Sequence, residues 1–140
     1  MSDHISRHLT VRQSAAHFGL ELLQRAVALV CLAQGILYWA RLVGVYPSAE
    51  WRFDLLPLYW QTAAGSLAIL FPFASVGLWT LAPWGPVIWF VCAVTEISMF
   101  GFMSDLYGFN PWIIAGHLLT AACYAGLRTM IFLEKRRSAD

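Results

Sequence analysis

The sequence predicts an all-α integral membrane protein, a bundle of four crossing helices with the N- and C-termini both in the cytoplasm. Three observations carry that expectation. Hydrophobic residues make up 59% of the 140 positions and charged residues only 12%, against roughly 25% charged in a soluble domain. A chain this short has a large surface for its volume, and so few charges cannot cover it. The apolar residues also gather into long segments, each close to the ~20 residues that cross ~30 Å of hydrocarbon. Finally, the cations sit at the chain ends. Arg7, Arg12 and Arg25 precede or open the first segment, and Arg128, Lys135, Arg136 and Arg137 close the last. Four crossings put both termini on one side, and the positive-inside rule makes that side the cytoplasm.

The elements follow in order. Residues 1–18 form a polar, interfacial segment. His4 and His8 are four apart, a spacing that metal sites use, but the expectation is a polar tail and no metal site. The first crossing is placed at residues 20–43, its uncharged stretch bounded by Arg25 and Arg41, whose side chains can snorkel to the interfaces. The apolar run starts late, after Glu21 and Arg25, and Val30 is too bulky for a lipoprotein cleavage site before Cys31, so the helix reads as uncleaved. Gly44 is its expected terminator.

In the loop at residues 45–56, charged and apolar residues alternate. An extended chain would show Trp51, Phe53 and Leu55 on one side, with Glu50, Arg52 and Asp54 on the other. We expect a loop lying on the outer leaflet with aromatics at headgroup level, or alternatively a docking surface for a partner. The second crossing, 58–81, carries no charge and holds Pro72, where a kink is expected. Ala82-Pro83-Trp84-Gly85-Pro86 is a tight turn into the third crossing, 86–103, which contains Glu96. Asn110-Pro111 opens the fourth, 112–132, in the manner of an N-cap and first helical residue. The four-helix unit thus covers residues 19–133, and residues 134–140 are a basic tail.

Polar residues recur at helical spacing in three crossings: Cys31, Gln34, Tyr38 and Arg41 in the first, Gln61 and Gly65 in the second, His117, Thr120, Tyr124 and Arg128 in the fourth. Glu96 falls near the middle of the third, where an ionised carboxylate costs several kcal/mol unless paired or wetted. Counting depth at ~1.5 Å per residue puts Gln34, Thr120 and Tyr124 nearest its level, with His117 a turn further out. The expectation is a polar cluster of Glu96, Gln34, Thr120, Tyr124 and His117. It would serve either as a hydrogen-bonded clamp or as a proton or cation relay. Ala122-x-x-x-Gly126 permits close helix contact; with Trp51, Arg52, Phe53 and Asp54 it makes up the candidate interface.

Several classes of function are excluded. A net charge of +1 does not suit nucleic acid. There is no His-Glu-x-x-His, Gly-x-Ser-x-Gly or phosphate loop, and the cysteines lie singly in three crossings. One intramembrane histidine cannot hold a haem by paired histidines. No enzyme activity, cofactor or metal is therefore expected. Leu42-x-Gly44-Val45-x-Pro47 and Leu106-x-Gly108-Phe109-x-Pro111 share a pattern that suggests a duplicated helical hairpin.

The segment Glu50-Trp51-Arg52-Phe53-Asp54-Leu55-Leu56-Pro57-Leu58-Tyr59-Trp60-Gln61 and the stretch Glu96-Ile97-Ser98-Met99-Phe100-Gly101-Phe102 carry a resemblance. Through them the chain resembles small four-span inner-membrane proteins of alphaproteobacteria, grouped as a family of unknown function. The resemblance implies a location and a topology and no catalytic residue. A looser likeness to DoxX-like four-helix proteins rests on size and span count. The functional expectation is an accessory or assembly subunit of a membrane complex, in the bilayer of a bacterial inner membrane, as a homo-oligomer or part of a larger complex. The alternative is a small proton- or cation-coupled transporter using Glu96.

Overall fold

The computed structural model describes residues 15–48 and 52–137. Among them the regular structure is helical, with no strand. The helices are α1 (Ala15–Val43), α2 (Leu58–Trp79), α3 (Gly85–Ile97), α4 (Ser104–Tyr107) and α5 (Pro111–Arg137). A π-helical turn, Ser98–Phe102, continues α3, and a 3-10 turn occupies Phe53–Leu55. Helices satisfy every backbone group within the segment, which is what hydrocarbon demands.

α1 begins at Ala15 rather than at residue 20. Glu21 and Arg25 lower the apolarity of that turn without interrupting its hydrogen bonds, so the helix outruns its membrane-like stretch. It ends as expected at Gly44, in the left-handed region with φ 70°. The Val45 amide reaches back to the Ala40 carbonyl at 3.1 Å and the Gly44 amide to Arg41 at 3.2 Å, the double bond of a Schellman cap. α2 ends the same way, with Ala82 bonded to Gly77 at 2.9 Å and Leu81 to Leu78 at 3.2 Å. There the left-handed residue is Leu81, φ 57°, at a cost of about 1 kcal/mol or more. Gly108, at the end of α4, has φ 84°. The shared Leu-x-Gly pattern at residues 42–47 and 106–111 thus places a positive-φ glycine at each of two helix exits.

Close approach joins the helices. A Cβ on Gly85 would fall on the backbone of Gly77, and one on Gly77 would strike the Trp84 ring. The turn between α2 and α3 therefore needs both glycines. A Cβ on Gly35 would come within 2.9 Å of Pro72 Cδ, so α1 and α2 touch where the proline interrupts α2. Pro72 has no N–H to give, which frees the Ala68 carbonyl one turn earlier. The Trp39 indole N–H donates to that carbonyl at 2.9 Å, and the Ser75 hydroxyl donates to Ala28 O at 2.8 Å. A neighbouring helix thereby restores what the proline removes, as an apolar surround requires.

The core lies along these contacts. Ala28, Ala64, Ala68, Ala74 and Cys92 are fully buried around Leu67 and Phe71, and such small residues let helix backbones approach. The outward faces are apolar instead: Leu29, Ile36, Phe73 and Phe90 are each more than half exposed. Three helices are long and apolar enough to cross a membrane: Ala15–Val43, Leu58–Trp79, and Gly85–Phe102. A water-facing surface of this kind would associate or aggregate; these are the features of a small membrane protein.

The expected fourth crossing, 112–132, lies within α5, which is 27 residues long but is not one of those three. His117 and Arg128 interrupt its apolar run, and the helix continues into Lys135, Arg136 and Arg137. α5 packs against α1, α3 and the π-helical turn, yet none of its residues is fully buried.

The loop before α2 departs from the alternating expectation. A 3-10 turn forms at Phe53–Leu55, because Gln61 Nε2 donates to the carbonyls of Phe53 at 3.1 Å and Leu56 at 2.9 Å and gathers the chain over the start of α2. Arg52 pairs with Asp54 at 2.6 Å on the exposed side. Trp51 lies outside the described residues. Nearby, Tyr107 of α4 donates its hydroxyl to Tyr59 O at 3.0 Å and packs edge-on against Tyr59 and Trp60.

Candidate functional site

Glu96 sits in the last turn of α3, two residues before the π-helical turn, and is completely buried. Both of its carboxylate oxygens are occupied. The Tyr38 hydroxyl, from α1, donates to Oε1 at 2.6 Å. His117 Nε2, from α5, lies 2.8 Å from Oε2. Three separate helices thus meet at one carboxyl group. Each of the three residues is placed by its distance from a helix end. Glu96 is six positions before Phe102, His117 six after Pro111, and Tyr38 five before Val43. At ~1.5 Å per residue that puts all three roughly 7–9 Å in from the same end of the molecule.

The surroundings hold this arrangement. Tyr38 stacks on Phe71 with ring centroids 5.8 Å apart. The Arg41 guanidinium lies over Tyr38 and Trp60, at 5.7 and 5.1 Å from their ring centres. Trp89 flanks His117 at 6.2 Å. π-Helical turns widen a helix by one residue and concentrate at functional positions. This one begins two residues after Glu96, and Met103 closes it on Ser98 O at 2.9 Å.

Sequence reasoning brought together part of this site. Glu96 and His117, both members of the expected cluster, meet. Gln34 is close by but makes no hydrogen bond to Glu96. Thr120 and Tyr124 do not join it: the Thr120 hydroxyl donates to Gly116 O of its own helix at 2.8 Å, and the Tyr124 hydroxyl accepts from Arg128 Nε at 3.1 Å. The expected level is therefore wrong by about one turn. A depth counted from the bilayer centre treats each crossing as centred and upright. The helices are instead registered by the connections at one end, which brings His117 to Glu96 and carries Thr120 and Tyr124 past it. Tyr38 was on the polar stripe of α1 but absent from the cluster; counting back from Gly44 finds it. Of the candidate interface, Ala122 and Gly126 are exposed on α5, and a Cβ on Gly126 would meet nothing within 4 Å.

Two hollows lie near the site. One, of about 60 Å³, is bordered by Glu96, Tyr38, Gln34 and Arg41. The other is a cleft of about 510 Å³ between α1 and α5, floored by Phe71 and Trp89 and bordered by Gln34 and His117. Gln34 and Ile113 line both. Among the described residues no three His, Cys, Asp or Glu side chains gather as a metal ion would need.

Residues 18–135 match a family described as a family of unknown function, DUF6163. The chain belongs to that family. The DUF6163 match spans α1 from Phe18 through nearly all of α5, so Tyr38, Glu96 and His117 all fall within it. Neither the curated proteins nor the solved structures contain a match to the chain.

Chemically, the site is a carboxyl group with one fixed and one adjustable neighbour. Tyr38 can only donate to a carboxylate under ordinary conditions, whereas an imidazole can carry its proton on either nitrogen. A proton can therefore pass between Glu96 Oε2 and His117 Nε2 across 2.8 Å without movement of either side chain.

Proposed function

We propose that the chain is a four-span protein of a bacterial inner membrane, with both termini in the cytoplasm, that couples the movement of a small molecule to a proton held on Glu96. The observation that carries this reading is the buried Tyr38–Glu96–His117 chain, with one hollow bordered by Tyr38 and Glu96 and a larger one bordered by His117. An acid inside a membrane protein is costly to keep and marks proton or ion pathways. Here it is hydrogen-bonded to a second group able to hold the proton, the partner that a lone acid lacks. α5 makes the fourth crossing in this reading, with its polar His117 turned onto Glu96 and Arg128 near the cytoplasmic surface. Glu96→Gln tests it: the variant should fold and reach the membrane while losing pH-dependent transport or ligand binding. Unchanged pH dependence would contradict the proposal.

The second reading, an accessory or assembly subunit, is supported by the outer face of α5. Ala122 and Gly126 lie open there, on a helix with no fully buried residue, and small residues at that spacing suit a partner helix. Gly126→Leu should then break association with a second copy or another subunit. Purification from the native membrane through a C-terminal tag reads this directly, since a stoichiometric partner lost in Gly126→Leu supports the subunit reading. An association unchanged by the substitution counts against it.

A further inference from the structure

The cleft between α1 and α5 has the size and chemistry of a ligand site. Its volume of about 510 Å³ lies within the roughly 300–1,000 Å³ of small-molecule pockets. The floor is dry and aromatic, with Phe71 1% and Trp89 6% exposed, and Cys31 1%. The rim includes Val30, 60% exposed, and Leu119, 67% exposed. Those two side chains belong to the outward apolar surface, so the opening faces lipid.

Two polar groups converge on this space from opposite walls. His117 spends Nε2 on Glu96, and among the described residues its Nδ1 has no hydrogen-bond partner. No buried side-chain nitrogen or oxygen is left unpaired, so Nδ1 is reachable, and the cleft is the space that His117 borders. Gln34 borders the same space from α1 with an amide that can donate and accept.

We infer that the cleft binds a lipid-soluble phenol, a molecule with an apolar tail and an aromatic hydroxyl head, which enters from the bilayer and places its hydroxyl on His117 Nδ1. The inference rests on the proton-site reading above and names the ligand class of that site. Each part of the ligand answers a feature of the cleft. The tail matches the lipid-facing rim, and the ring matches Trp89 and Phe71, since aromatic pairs gain from edge-on and offset packing. The hydroxyl must donate well to an imidazole nitrogen, and an aromatic hydroxyl is a stronger donor than an aliphatic one. A fatty acid would bring a second carboxylate into apolar surroundings near Glu96, and like charges there repel.

No proton need leave the phenol. Its O–H donates to Nδ1 of a neutral imidazole whose Nε2–H donates to Glu96 Oε2, and the Gln34 amide can donate to the phenol oxygen. The small hollow beside Glu96, Tyr38 and Arg41 has room for a water that can exchange a proton with the carboxyl group.

The test is equilibrium binding of tritiated 4-octylphenol to the full chain in phosphatidylcholine nanodiscs, with empty nanodiscs subtracted. Saturable binding of one probe per chain is expected, weakened about tenfold or more by Gln34→Leu and by Val30→Trp. Leu119→Trp, on the opposite rim, should do the same, so the result does not depend on one variant folding. Octylbenzene, which lacks the hydroxyl, should fail to compete. Binding that vanishes on subtraction, or equal competition by octylbenzene, overturns the inference and leaves only an acyl-chain groove. A ligand-free infrared pH titration of Glu96 separates the two claims. Proton exchange without saturable octylphenol binding overturns the ligand class alone. Saturable binding to a carboxyl that exchanges no proton upholds the binding site and overturns the proton reading.

Discussion

A carboxyl group sealed from water is tolerable only if both oxygens are satisfied, and Tyr38 and His117 meet that condition for Glu96. Glu96→Leu leaves a buried hydroxyl and an imidazole without an acceptor and should lower stability by ~3 kcal/mol or more, read by unfolding in detergent. Glu96→Gln keeps an oxygen for Tyr38 and should cost only about 1 kcal/mol. Trp39 offers a second residue-scale test, because its indole bonds the Ala68 carbonyl that Pro72 leaves open. Trp39→Phe should destabilise by about 1–3 kcal/mol. In a Pro72→Ala background the helix supplies its own amide, so the same substitution should cost less, which a double-mutant cycle measures. The sequence announced Glu96 and His117 because ionisable groups stand out in apolar helices. It gave less warning of Tyr38, whose hydroxyl resembles any interfacial tyrosine until the helix ends set the register. Trp39 was illegible for a similar reason: its partner is a backbone carbonyl, and carbonyls carry no sequence signal.

Among the elements, α1, α2 and α3 were readable because long apolar segments bounded by Gly44, the 82–86 turn and Asn110-Pro111 leave little freedom. The π-helical turn and the 3-10 turn were not. Each is fixed by hydrogen bonds between positions that composition does not link, Met103 to Ser98 in one and Gln61 to Phe53 in the other. Leu81 marks an element end where the chain accepts strain. Leu81→Gly should raise stability by about 1 kcal/mol, read by thermal unfolding in detergent. Gly77→Val should separate α2 from α3, since its side chain would occupy the space of Trp84 and Gly85; a loss of ~2 kcal/mol or more is expected. In the exposed loop, the hydrogen bond from Arg52 holds the Asp54 carboxyl below its ordinary range. The pair's contribution is therefore present above the ordinary carboxylate pKa, near 4, and is lost as pH falls through the lowered value. Carboxyl NMR should show Arg52→Gln moving the Asp54 midpoint upward.

For the whole molecule, the account requires that α5 cross the membrane with its polar side facing inward. Topology reporters placed after Arg137 and in the loop near Pro47 should then report opposite sides, the first cytoplasmic. Overall helicity and apolar faces were legible because hydrocarbon leaves the backbone so few alternatives. The fourth crossing that the sequence predicts remains part of the proposal, since the same His117 that meets Glu96 also reduces the apolarity of α5. That trade between crossing and chemistry makes Glu96 the place to measure. The most direct measurement is the infrared difference spectrum between acid and alkaline bilayers, for the native chain and for Glu96→Gln. The account predicts a protonated-carboxyl band that changes with pH in the native protein and is missing from the variant. A native spectrum with no carboxyl change, or one identical in Glu96→Gln, would contradict it and leave Glu96 as a clamp between three helices.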